Sequence, residues 1–209
     1  RRSSDLSDAT FGFRRHFFSQ HGQYEIFDYV KAKAEGKIPE DYFVWWGFED
    51  QKLFGFAREK LLEISQSNQP FNLTLLTVDT HHENGFICEL CDDEFYEQYA
   101  NVLACSARQV KSFVEWLQKQ DFYEQTTIII TGDHLTMDID FTAGIDSEYV
   151  RTTYNVLINP HPSVGEPRTT NRLFTAFDLL PTTLASLGVE IRGDRLGLGT
   201  NLFSHRETL

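Results

Sequence analysis

Two short apolar runs, Phe71 to Val78 and Thr126 to Ile130, each lead into aspartate and histidine: Asp79-Thr80-His81-His82 after the first, Asp133-His134 after the second. Runs of this length and type read as buried strands, because β-branched residues pack well on a pleated surface. Helical periodicity lies before and between them. Asp50 to Ile64 carries Leu53, Phe54, Phe56, Ala57, Leu61 and Ile64, the spacing of an amphipathic helix. Ser106 and Gln109 form a capping box, and Val110, Phe113, Val114 and Leu117 then share one face. Tyr154 to Ile158 reads as a third strand. Asn171 to Leu187 is helical in pattern, with Asp178 as a cap near Pro181 and Gly188 just past the end. Strand and helix alternate, which predicts an α/β fold with a mainly parallel sheet flanked by helices. Residues 1–45 have weak periodicity, 80–104 read as a long irregular segment and 136–150 as a polar loop.

The 209 residues suffice for one domain with a real core, and 41% hydrophobic content argues against disorder. A net charge of −12 argues against a nucleic-acid binder. It leaves room for a local anionic substrate, since a bound metal reverses the field inside a site. No apolar run reaches the roughly 18 residues of a membrane span, and no signal-peptide pattern is present. The chain opens Arg1-Arg2-Ser3-Ser4 without a methionine, so it is expected to be a piece of a longer protein. There is no glycine-rich phosphate loop and no nucleophile elbow.

Asp133 and His134 are donors suited to a divalent cation, at a strand end where α/β sheets hold ligands. Gly132 lets the backbone turn there; the alternative is a surface turn with a solvated imidazole. Of His81 and His82, one could bind a metal or hold an anionic group, with Asp79 orienting an imidazole through its ring N–H. Arg14-Arg15 offers guanidinium forks for a phosphate, against the alternative of a solvated basic pair. Trp45, Trp46 and Phe48 read as core rather than as a stacking platform. Arg151, Arg168, Arg172 and His205 carry no spacing signal. Cys88 and Cys91 form a CxxC, which suits redox chemistry or half a zinc site. No second CxxC exists and the motif does not open a helix after a strand, so a loop disulfide is preferred, with its pairing left open by spacing.

Together, Thr77-Val78-Asp79-Thr80-His81-His82, Asp133-His134-Leu135, Trp46-Gly47-Phe48-Glu49-Asp50, Asp178 to Gly188 and Leu196-Gly197-Leu198-Gly199 resemble the sulfatase-like branch of the alkaline phosphatase superfamily. Within it they look most like the phosphoglycerol transferases, which include lipoteichoic acid synthases and periplasmic glucan phosphoglycerol transferases. The resemblance implies a partial alkaline phosphatase-like (sulfatase) domain. It makes Asp133 and His134 paired metal ligands, usually for manganese, with magnesium or zinc as alternatives. It makes His81 a contact to the phosphoglycerol group and Arg14 the substrate-binding arginine, with Arg15 close enough to compete. It supports a disulfide between Cys91 and Cys105, which would leave Cys88 outside the pair. It further implies metal-dependent transfer of phosphoglycerol from a phosphatidylglycerol-type lipid to a periplasmic or envelope glycan, at the extracytoplasmic face of the inner membrane. Any membrane contact would come through parts of the parent protein outside this chain.

The family's threonine nucleophile and a further acidic metal ligand lie upstream of the arginine. Residues 1–209 are therefore expected to be the C-terminal portion of a sulfatase-like catalytic domain, with no catalytic nucleophile and no activity alone. The alternatives are a phosphoethanolamine transferase, a sulfatase, or a non-catalytic binding domain of the same fold. Leu135-Thr136 after Asp-His departs from the Gly-Glu of phosphoethanolamine transferases and counts against the first.

Overall fold

Asp50 to Ser65 forms the helix that the apolar stripe predicts, and it buries Leu53, Phe54, Ala57 and Leu61 along one face. The structure, a computed structural model, describes residues 2–5, 8–22, 24–67, 69–164 and 172–209. It divides into two compact units, Arg1–Gln118 with Thr136–Tyr149, and Lys119–Leu135 with Val150–Leu209.

The first unit holds a parallel sheet of β1 (Arg2–Asp5), β2 (Glu25–Phe27) and β3 (Leu73–Leu76) in the order β2-β1-β3. Its register sets Ser4 opposite Phe27 and Leu75. Around it lie α1 (Arg14–Gln20), α2 (Tyr29–Ala34), α3 (Asp50–Ser65), α4 (Gln98–Leu117) and α5 (Ile139–Thr142). Phe27, Ala32, Ile38, Phe48 and Leu53 make the core, with Tyr42, Phe56, Leu75 and Val78 packed on it. Phe48 and Leu53 are wholly buried, which stabilises the fold by about 1.5–3 kcal/mol each.

Several expectations are corrected here. The helix assigned to start at Ser106 begins at Gln98, because Tyr99, Val102 and Cys105 extend the buried stripe of Gln109, Phe113 and Leu117 by two turns. Ser106 is interior and caps nothing. The last part of the expected irregular segment is therefore helical. The expected polar loop 136–150 contains α5, whose first turn is capped by Asp138 accepting from the Phe141 N–H at 3.0 Å. Among the described residues of 1–45 there are two strands, two α-helices and a 3-10 turn despite the weak periodicity.

The second unit pairs β4 (Ile128–Thr131) with β5 (Asn155–Ile158) in antiparallel register, Ile129 opposite Leu157. Alternation of element types had predicted strands at both places; it does not fix the direction of their pairing. Only part of the pattern from Asn171 to Leu187 is α-helical, as α6 (Leu179–Ser186); Asn171 itself lies outside the described residues. Asp178 stands at the N-cap of α6 as expected, but its side chain makes no capping bond to that helix. Thr175 and Asp178 form a capping box one turn earlier, on the 3-10 turn Ala176–Asp178. The Asp178 carboxylate also accepts the Thr200 N–H at 2.7 Å, which holds the hairpin of β6 (Arg195–Leu196) and β7 (Gly199–Thr200). Pro181 sits in the first turn of α6, where its missing N–H leaves no intrahelical bond unmade. Gly188 closes the helix as expected, with φ +85°. The Val189 N–H donates to Leu184 and the Gly188 N–H to Ala185, at 3.0 and 2.8 Å. Among the described residues no helix is long and apolar enough to cross a membrane.

Candidate functional site

In the first unit, a short turn closed by Val44 and Gly47 through two backbone hydrogen bonds carries Trp45 and Trp46 at its tip. The Trp45 indole N–H donates to the Val78 carbonyl at 3.2 Å and anchors the turn to the end of the β3 segment. The Trp46 ring then lies 4.1 Å from the His81 ring, which is 4.6 Å from that of His82. Phe11 meets Trp46 edge-on at 5.6 Å, and the Arg14 guanidinium sits 5.4 Å from the Phe11 centroid. Arg14 and His81, far apart in sequence, are thus joined by a line of rings. Trp46 belongs to that line rather than to the core; only Phe48 of the three aromatics is fully buried. The His81 Nδ1 is 2.6 Å from the His82 carbonyl, so Nδ1–H donates there, and in the neutral ring Nε2 then carries the lone pair. Phe13 and Trp45 hold φ of +59° and +55°, strained for bulky residues. They immediately precede Arg14 and Trp46.

The two arginines separate cleanly. Arg15 forms an ion pair with Asp28, which is 1% exposed and also accepts from the Ala9 and Lys31 N–H groups. It is a structural residue of α1, and Arg14 is the one beside the rings.

Beneath His81 lies a carboxylate pair that sequence reasoning missed. Asp50, the first residue of α3, accepts the N–H groups of Val78 and Asp79, and Asp79 accepts the N–H of Asp50 at 3.2 Å. Asp79 therefore does not orient an imidazole, because the buried start of α3 takes its carboxylate instead. Its Oδ2 has no partner among the described residues. Burial, then the charge of Asp50, pushes the Asp79 carboxyl up to about 8, and burial raises Asp50 to about 6. The loop after β3 is held by Asp138, which accepts the Asn84 N–H at 2.8 Å. That bond and the one from Phe141 keep its carboxyl below the usual range. Gly85 in this loop has φ +62°, and a Cβ there would come within 2.6 Å of the Asp79 carbonyl and 2.7 Å of Val102. The Cys91–Cys105 disulfide ties the segment to α4, and Cys88 remains a buried thiol.

The second unit carries Asp133 and His134 just past β4, where the Gly132 N–H donates to Tyr154 at 2.8 Å. Both side chains are exposed. The His134 N–H donates to Asp133 Oδ1, and His134 Nδ1 lies 2.7 Å from the Leu135 carbonyl. That bond fixes the tautomer and leaves Nε2 facing Asp133 Oδ2 at 3.6 Å.

Residues 7–189 match the family described as Sulfatase. This chain belongs to the sulfatase family. The sulfatase-family chain is 32% identical over 128 residues to "Phosphoglycerol transferase I" of Escherichia coli (strain SMS-3-5 / SECEC), and 31% identical over 128 residues to the protein of that name in Shigella boydii serotype 18. Each match covers 58% of this chain and 17% of the relative. The fold is similar to that of a lipoteichoic acid synthase from Listeria monocytogenes, with a TM-score of 0.71 at 17% identity over 97% of this chain and 53% of that one. It is also similar to a protein in the alkaline phosphatase superfamily from Vibrio parahaemolyticus, with a TM-score of 0.67 at 19% identity over 90% and 44%. The expected α/β, alkaline phosphatase-like class therefore holds.

The superfamily generally uses divalent metals. A carboxylate oxygen and an imidazole nitrogen with its lone pair free, 3.6 Å apart, match the separation of two ligands at about 2.1 Å from one cation. Asp133 and His134 are thus chemically suited to supply two of the donors such an ion needs.

Proposed function

We propose that this chain is the C-terminal portion of the catalytic domain of a metal-dependent phosphoglycerol transferase. The observation that carries the reading is the pair Asp133–His134, with a tautomer set for coordination, in a chain similar over 128 residues to proteins named phosphoglycerol transferase I. Asp133 and His134 would hold a divalent ion, manganese in the first instance. When bound, it neutralises phosphate charge and makes a hydroxyl a better nucleophile. Arg14 binds a phosphate oxygen through its guanidinium fork. His81 accepts or holds a proton at a substrate oxygen through Nε2, with Trp46 and Phe11 walling the place where the glycerol lies. The nucleophile, a threonine, belongs to the remainder of the parent protein. The donor is a phosphatidylglycerol-type lipid and the acceptor a periplasmic or other envelope glycan, outside the inner membrane. The disulfide supports that oxidising location.

The test uses the full-length protein. His134→Ala is expected to lose bound metal and to lower transfer from phosphatidylglycerol by more than about 100-fold, since even outer-shell changes reach that size. Unchanged metal content and turnover would remove the ligand assignment. Retained metal with turnover on a sulfate ester instead would overturn the transferase reading.

A further inference from the structure

We propose that Cys88, Cys91 and Cys105 form a zinc site when the Cys91–Cys105 disulfide is reduced, with the Gln109 amide oxygen as fourth donor. This is independent of the Asp133–His134 pair. The CxxC alone offered half a site; the fold brings the third sulfur from α4. The Cys88 Sγ lies 3.6 Å from Cys91 Sγ and 3.9 Å from Cys105 Sγ. Zinc–sulfur bonds of about 2.3 Å set the sulfurs of a tetrahedral site about 3.8 Å apart, so two of the three edges are already in place. The third edge opens when the S–S bond is broken. Cys91 N–H donates to the Cys88 carbonyl at 3.1 Å, a tight turn that directs both CxxC sulfurs to the same side.

The fourth position is supplied from the next turn of α4. The Gln109 amide faces the cluster, with its Nε2 at 3.7 Å from both Cys88 and Cys105 sulfurs. Gln109 is 8% exposed, and its Oε1 has no partner among the described residues. A half-turn of the amide exchanges the two atoms and presents Oε1 to the cluster in place of a weak N–H···S contact. An open cleft of about 270 Å³, lined by Phe54, Leu90, Cys105 and Gln109 among others, gives a path to the site.

The chemistry balances in two steps. A dithiol reductant gives two electrons and two protons to the Cys91–Cys105 bond, which becomes two thiols as the reductant becomes a disulfide. Zinc then forms three Zn–S bonds and releases three protons to solvent. The site belongs to the reduced chain, and oxidation of Cys91 with Cys105 expels the metal.

The experiment titrates Co²⁺ into the reduced 209-residue chain, freed of reductant without air, and reads the thiolate-to-cobalt charge-transfer band. Only sulfur ligation gives that band, so Asp133 and His134 do not contribute. The expected result is one equivalent bound, bleached by Zn²⁺, with no band in the oxidised chain. Cys88→Ser, which keeps the disulfide-forming pair, is expected to weaken binding by at least about tenfold. No band in a folded reduced chain overturns the proposal, as does equal binding by Cys88→Ser. If reduction unfolds the chain, Zn²⁺ should restore its circular dichroism; failure to do so also overturns it.

Discussion

Arg15 donates to a carboxylate, Asp28, that is almost wholly removed from water, whereas its neighbour Arg14 lies over an aromatic ring. Arg15→Ala leaves the Asp28 charge short of one partner, and a loss of about 1–3 kcal/mol in stability is expected by urea denaturation. Arg14→Ala is expected to change stability by less than about 1 kcal/mol, yet to weaken glycerol phosphate binding to the full-length protein by about tenfold or more in calorimetry. The reverse pattern would move the substrate role to Arg15. A second residue-scale effect concerns pH. The Asp79 carboxyl is raised from its ordinary 3.8 to about 8, so the folded chain holds a proton that the unfolded chain has released. Stability then falls as pH rises through that window, by at most about 1.4 kcal/mol per pH unit for one proton. Asp79→Asn has no such proton. Its denaturation midpoint should lose this slope between about 6, where Asp50 titrates, and about 8. An undiminished slope in the variant would show that another group is responsible.

At the scale of elements, the loop after β3 depends on a close approach that only glycine permits. Gly85→Ala puts a Cβ at 2.6 Å from the Asp79 carbonyl, at a positive φ; a loss of about 2–3 kcal/mol is expected, read as a lower melting temperature. No change in melting would mean that the loop relaxes freely. How far each element was legible in the sequence follows from how it is held. The stripe Leu53, Phe54, Ala57, Leu61 announces α3 because one face is buried along its whole length. The early turns of α4 were hidden because polar Asn101 interrupts them. It is buried for a local reason: its amide accepts the Glu94 and Phe95 N–H groups at 2.9 and 2.7 Å. β1, β2, α1 and α2 are too short for periodicity to specify. β1 is held between β2 and β3, and Asp28 ties the start of α2 to Ala9 and Arg15; those are long-range facts.

Over the whole molecule, the family was legible because its motifs sit at strand ends in fixed chemical pairs, Asp133-His134 above all. The geometry around them was not. Trp46, Phe11 and Arg14 meet through tertiary packing, and Asp50 finds Asp79 across 29 residues. Neither contact leaves a local pattern. The division into two units is likewise invisible to periodicity, since the chain leaves the first at Gln118 and returns at Thr136. Each unit has its own sheet and its own buried helix face. A perturbation confined to one is therefore expected to spare the other. The Cys91–Cys105 disulfide lies within the first and closes a sequence separation of 14, which stabilises by about 3 kcal/mol through the unfolded chain. Reduction should speed amide hydrogen exchange in α4 and in residues 86–97, while β4, β5 and α6 keep their protection. Peptide-resolved exchange on the oxidised and reduced chain, with metal excluded by a chelator, checks this. An equal loss of protection in α6 would mean that the two units open together, as one cooperative structure.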